Sequence, residues 1–279
     1  METIYLNRDN LGIWQEKAMP KVMALGCFDG IHTGHWKVIN TAYEKAKEQN
    51  VQLAVMSFFP HPKSVVGSGK KQVHYLMPLS EKEKRLESLG VDIFYIVEFN
   101  KEFAALQPEE FVAKYLVELG VVHAVAGFDF CYGYKGEGNL DRLYQDSGKL
   151  IEVTKVEKVG YKGEKISSTC IRERLLAGNV EELPHFLGHF YEIKCDFDGR
   201  SFKPYPYYTL PAPGHYEVTL ENEACSINTE VIILESSGGP ILVCTKEIPP
   251  FMKRKLTIVW QRLIKKEIVS STDEKILIS

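Results

Sequence analysis

The residues of this chain predict an α/β architecture: a Rossmann-like domain built on a parallel sheet, followed by a smaller all-β, barrel-like domain. Three observations predict it. The first two thirds alternate short apolar runs with amphipathic helical patterns, the signature of βα units. After Tyr191 the runs become β-rich, with no helix between them. At 279 residues and 44% apolar content the chain is long enough for two hydrophobic cores.

Taken in order, "KVMALG" leads into "HWKVINTAYEKAKEQN", "VQLAVMSFF" into "SEKEKRLESLG", "VDIFYIVEF" into "PEEFVAKYLVELG", and "VVHAVAGF" into "NLDRLYQDSG". Ser80 with Glu83 reads as a capping box, Pro108 suits a first helical turn, and Gly90 and Gly120 sit where helices end. The later runs "HYEVTLE", "NTEVIILES", "PILVCTKE" and "KLTIVWQRLI" are separated by turns bearing Pro and Gly. "KPYPYYTLPAP" reads as a loop or an edge strand. The change of character near Gly188 to Ile193, just after two short helices, divides the chain into domains 1–188 and 189–279.

The formal net charge of −3 argues against a surface built for nucleic acid. No run approaches the roughly 18 apolar residues of a membrane span, and the start "METIYLNRDN" has no basic segment followed by an apolar one. A cytoplasmic chain without membrane partners is therefore expected, as a monomer or weak homo-oligomer. The six cysteines include no C-x-x-C pair, which suits reduced thiols.

"VMALGCFDGIHTGHWKVINTA" places His32 and His35 where the first of these strands ends and a helix begins. Ligands of α/β folds gather at that edge. A helix starting near Thr33 to His35 presents backbone N–H groups and a positive dipole end to an anion, and Gly26, Gly30 and Gly34 allow close backbone approach. Three readings stand: a phosphate site, turn and cap residues only, or a metal site using Cys27, His32 and His35 with no evident fourth ligand.

"GEKISSTCIRERLLAGNVEEL" puts Ser167 to Thr169 at the cap of a second helix, with Arg172 on its first turn. That is a second phosphate-binding pattern, or an ordinary cap beside a surface arginine. "AGFDFCYGYKGEGN" sets Asp129 among Phe128, Phe130 and Tyr132, either to hold a polar heterocycle by edge and face or to plug the sheet. "SFFPHP" stiffens a loop around His61, a flavin or nucleotide contact or a merely structural histidine.

"GCFDGIHTGH" resembles the F-D-G-x-H-x-G-H signature of the HxGH nucleotidylyltransferases. Together with I-S-S-T-x-I-R, the segment around Asp129 and F-x-P-H-P, it resembles the adenylyltransferase module of bacterial FAD synthetases, over about Met19 to Tyr191. The resemblance implies MgATP + FMN → FAD + pyrophosphate, with Mg²⁺ accompanying ATP. It implies ATP binding by Gly26, Phe28, Asp29, Gly30, His32, Gly34, His35, Lys165, Ser168, Thr169 and Arg172. Among these His32, His35 and Arg172 are the catalytic set, and no resident metal is implied. His61, Phe128, Asp129, Phe130 and Tyr132 take the flavin side. Cys170 departs from the arginine expected after the threonine.

The family's second domain is commonly a six-stranded riboflavin kinase barrel, and "LPAPGHYEV" resembles one of its strands. The kinase's G-x-P-T-A-N string has no counterpart in "DGRSFKPYPYYTL", Glu230 stands without the usual surroundings of a kinase glutamate, and the family's long C-terminal helix has no counterpart before "STDEKILIS". A shortened domain without kinase activity is expected. The alternatives are a bifunctional kinase and adenylyltransferase, a nucleotidylyltransferase with another acceptor, and a flavin-binding regulator without turnover.

Overall fold

The computed structural model describes residues 1–66, 74–252 and 254–266. They form two compact units, Met1–Val73 with Leu79–Gly160 and His74–Pro78 with Tyr161–Ser279.

The first unit is built on six strands, β1 (Glu2–Leu6), β2 (Lys21–Leu25), β3 (Gln52–Phe59), β4 (Ile93–Glu98), β5 (Val121–Gly127) and, beyond the two-residue ribbon of β6 (Cys131–Tyr132) and β7 (Gly138–Asn139), β8 (Glu152–Val156). Their order is β1-β4-β3-β2-β5-β8 and every pairing is parallel. β2 is buried along its whole length, as a central strand covered on both faces must be. From β2 the chain runs through β3 and β4 to one side and through β5 and β8 to the other. The switch point of the sheet therefore lies at the carboxyl end of β2, where "GCFDGIHTGH" begins.

Helix Thr33–Gln49 buries Val38, Ile39, Ala42 and Ala46, one stripe at helical spacing, and ends on Asn50 in the left-handed conformation. Pro108 heads helix Pro108–Val112 inside a Gln107/Glu110 capping box, and Gly90 and Gly120 take positive φ. Ser80 departs from expectation. Its helix starts at Leu79, directly after Pro78, so Ser80 is a second helical residue rather than a cap, and Glu83 instead accepts a hydrogen bond from the Tyr5 hydroxyl.

At the opposite end of β2, Lys21 is buried and donates to the carbonyls of Met19 and Leu119. Burial pulls its pKa down to about 8. A neutral amine keeps two N–H donors, enough for both carbonyls. Between about pH 8 and the unfolded value of about 10.4, the unfolded chain holds a proton at this site that the folded chain has lost, so this group makes stability rise with pH. Urea unfolding of wild type and Lys21→Met between about pH 8 and 9.5, below the tyrosine range, checks it: the variant is expected to lose the upward slope.

The second unit holds a closed six-strand barrel, β11 (Glu192–Phe197), β12 (Ser201–Pro204), β13 (Gly214–Glu221), β14 (Ser226–Leu234), β15 (Ile241–Cys244) and β16 (Arg254–Lys265), which follow the short strands β9 (Gly160–Tyr161) and β10 (Glu164–Lys165). Alternating burial along β11 and β13 fills the interior with Ile193, Cys195, Tyr216, Val218 and Leu220, and Trp260 meets Tyr216 edge to face with centroids 5.2 Å apart. Six strands close, so the barrel is not short of strands. "KPYPYYTLPAP" completes β12 at Pro204 and is otherwise a connection.

The expected boundary at 188 lies a few residues before β11 begins at Glu192, whereas the compact unit that holds the barrel also takes in 161–188. The reason is local: Ala212 N–H bonds to the Leu175 carbonyl, and Gly178 lies against the Tyr216 hydroxyl and Ala212. Residues 267–279, with "STDEKILIS", lie outside the described residues. None of the six cysteines is in a disulfide, and among the described residues no helix is long and apolar enough to cross a membrane.

Candidate active site

Between β2 and helix Thr33–Gln49 the backbone makes an unusual turn. Phe28 and Ile31 have φ of 48° and 38°, and Gly30 has φ of 83°, so two non-glycine residues in four hold the left-handed region. Burial holds them there: Phe28 is 1% exposed and Ile31 6%. The Phe28 ring folds back over Gly26, where an added Cβ would stand 3.1 Å from its Cζ and press on the buried ring.

His32 caps the helix. Its Nδ1 accepts the His35 backbone N–H at 3.2 Å, its carbonyl accepts from Trp36, and the ring is buried. An Nδ1 that accepts carries no proton, so the neutral ring holds its hydrogen on Nε2, as a donor. The His35 ring stacks on that of His32 with centroids 3.6 Å apart and planes 16° apart, and meets Phe28 edge-on at 5.3 Å. One turn thus fixes two imidazoles at the positive end of a long helix, an arrangement suited to an anion. Among the described residues no group of three or more His, Cys, Asp or Glu side chains is placed to share a metal ion.

Two residues behind this turn were not singled out from the sequence. Lys82 Nζ donates to the Cys27 carbonyl at 2.8 Å and lies 3.3 Å from the Ser57 hydroxyl, which itself donates to the same carbonyl at 2.8 Å. Both are buried, as is Asp29. Burial lowers the pKa of Lys82, and Asp29 acts against that shift. The signals were available: Lys82 shares the buried stripe of its helix with Leu86, and Ser57 interrupts the apolar run of β3.

A train of rings runs from β3 to the loop after β5. Phe58 meets Phe103 at 5.8 Å, Phe103 meets Phe111 at 6.0 Å, Phe111 meets Tyr132 at 5.3 Å and Tyr132 meets Phe130 at 6.1 Å. Phe128 and Asp129 are exposed and Phe130 is half-buried. Tyr132 is in the core, its hydroxyl on Asp146 at 2.6 Å, so it backs the loop rather than facing outward. His61 Nδ1 accepts the Lys63 N–H at the start of helix Pro62–Val66.

In the second unit, Ser167 caps helix Ser168–Ala177, accepting from Cys170 N–H, while the Cys170 thiol takes the Ser167 N–H in return. Cys170 therefore occupies the place a glutamate fills in a capping box, which accounts for a buried residue where an arginine was expected. Ser168 and Thr169 are the first two helical residues. Arg172 begins the second turn rather than sitting on the first, with its Nε on the His74 carbonyl. Lys165 ends β10, half-buried.

A family model described as FAD synthetase matches residues 14–170. A bifunctional riboflavin kinase/FMN adenylyltransferase of Listeria monocytogenes is 45% identical over 195 residues, 70% of this chain and 62% of that protein. One of Bacillus subtilis is 44% identical over 194 residues, 70% and 61%. A protein named FAD synthetase, also from L. monocytogenes, is 35% identical over 198 residues, 70% of this chain and 80% of its own length. The chain spans about three fifths of the length of the two bifunctional relatives. A solved structure described as a macrolide-efflux protein from Streptococcus pneumoniae matches with a TM-score of 0.82 at 23% identity over 98% of this chain and 94% of its own, a likeness of fold alone. The model match spans more than half of the sequence and contains both histidines of the turn, and the chain belongs to the FAD synthetase family.

Proposed function

We propose that this protein is an FMN adenylyltransferase without riboflavin kinase activity. A phosphate oxygen of FMN attacks the α-phosphorus of MgATP in line, the bond from that phosphorus to the bridging oxygen breaks, and pyrophosphate leaves with Mg²⁺, which enters as part of the substrate. No covalent nucleophile is needed, so the protein's task is alignment and stabilisation of added charge. The observation that carries this reading is the His32 cap, which fixes a donor Nε2–H and a stacked His35 at the switch point of the sheet.

In this reading Gly26, Phe28, Asp29, Gly30 and Gly34 shape the turn, and His32 and His35 donate to the α-phosphate and bridging oxygen. Lys165, Ser168, Thr169 and Arg172 hold the β- and γ-phosphates. Phe128, Asp129 and Phe130 take the isoalloxazine with His61, and Tyr132 supports them from the core. The same reading has the protein acting in the cytoplasm on small molecules, as a monomer or weak homo-oligomer.

The bifunctional alternative draws support from the closed barrel and from the names of two relatives. Against it, "DGRSFKPYPYYTL" lacks the kinase string, and Glu230 is engaged by Lys246 at 3.4 Å, which with the nearby His215 at 2.9 Å holds its carboxyl below the usual range.

Incubation of the purified protein with MgATP and either FMN or riboflavin, with the flavins resolved by chromatography, tests the reading. FAD from FMN and no FMN from riboflavin is the expected result. FMN from riboflavin restores the kinase, and no product from either substrate removes the adenylyltransferase.

A further inference from the structure

Lys82 has no role in the chemistry just set out, yet it is 6% exposed in the first unit. A buried lysine amine carries a desolvation cost that a methionine of similar length would not, so its contacts have to account for it. They converge on one peptide group. The Cys27 carbonyl accepts from both Lys82 Nζ and Ser57 Oγ, and Asp29, two residues on, is close enough to Lys82 to act on its charge.

That carbonyl belongs to the peptide leading into Phe28, the first of the positive-φ residues. Rotation of this peptide plane would carry Phe28 out of its left-handed conformation and its ring away from His35. His35 would then lose one of the rings packed against it.

Resting on the adenylyltransferase reading, we propose that Lys82 is a positioning residue for the histidine turn. With Ser57 it clamps the Cys27 carbonyl, which keeps Phe28 folded against His35 and so holds the stacked pair where transferred charge develops. Its amine does not touch substrate. Misplacement of reacting groups by about 1 Å from a remote substitution can cost about 10²-fold in rate, which sets the scale of the effect.

The test compares wild type, Ser57→Ala, Lys82→Met and the double variant by FAD formation from FMN and, without any substrate, by ¹⁵N spectra of the histidine rings. Lys82→Met is expected to lower kcat by about 30-fold with KM for FMN within about threefold of wild type, and Ser57→Ala to lower kcat by about threefold. Because both act through one carbonyl, the double variant should be no slower than Lys82→Met alone. The His32 Nδ1 signal should leave its unprotonated position toward a mixture of tautomers.

Near-normal kcat in Lys82→Met, fully multiplicative losses in the double variant, or unmoved histidine signals each overturn the proposal. Should Lys82→Met fail to fold, the milder Ser57→Ala variant carries the same readouts. Absence of FAD from wild type would remove the adenylyltransferase reading, and the ring spectra would then decide Lys82 by themselves.

Discussion

His32→Ala is expected to lower the rate of FAD formation by about 10²- to 10³-fold, or about 2.7–4 kcal/mol of transition-state stabilisation, the usual consequence of removing one donor from developing charge. Two losses are combined in that variant, because His32 is also a helix cap, and removal of a cap costs about 1 kcal/mol of stability. His32→Asn separates them. An asparagine at this position can accept the His35 N–H from its side-chain oxygen, and so keep the cap, but it cannot reproduce the reach of Nε2 or the stack on His35. Urea unfolding should therefore return toward wild type in His32→Asn while kcat stays low. Near-normal turnover in His32→Ala would remove His32 from the mechanism.

The division of labour at His32 also shows what the sequence carries and what it does not. The four central strands of the sheet could be read because each is buried on both faces and so is mostly apolar, as in "KVMAL", with Ser57 in β3 and His123 in β5 as polar exceptions. The two edge strands could not: "ETIYL" and "EVTKV" show solvent on one side and carry charges in the pattern, so nothing distinguishes them from loop. The same holds for β11 and β12, whose outward residues include Glu192, Lys194 and Lys203. The histidine turn stood out as a candidate because glycines and histidines cluster where a strand gives way to a helix, but that His32 is itself the cap came only from the structure. Lys82 and Ser57 did not stand out, because their importance comes from a shared carbonyl 55 and 30 residues away in the chain, a relation that spacing alone does not encode. Cys170 needed the structure for the opposite reason: it departs visibly from the family's arginine, and only its place in the cap explains it.

Gly133→Ala should cost about 3 kcal/mol of stability and raise KM for FMN, and the argument rests on two independent contributions. Gly133 has φ of 74° and ψ of −175°, a region that only glycine occupies without strain of about 1–3 kcal/mol. A Cβ there would also stand 2.7 Å from Pro108 Cα and 2.8 Å from Pro108 N, backbone atoms that cannot swing aside as a side chain would. Pro108 is fixed as the head of a helix with its own capping box, so the loop from Gly127 to Tyr134 has to move instead. That loop presents Phe128, Asp129 and Phe130 and is tied down by the bond from Tyr134 N–H to the Leu106 carbonyl. Gly148→Ala supplies the comparison, since Gly148 has φ of 65° but nothing within 4 Å of an added Cβ. It should cost about 1 kcal/mol, the conformational part alone, and leave KM unchanged. Equal urea midpoints for the two variants would mean that the contact with Pro108 contributes nothing. A destabilised Gly133→Ala with wild-type KM would separate the aromatic loop from the flavin.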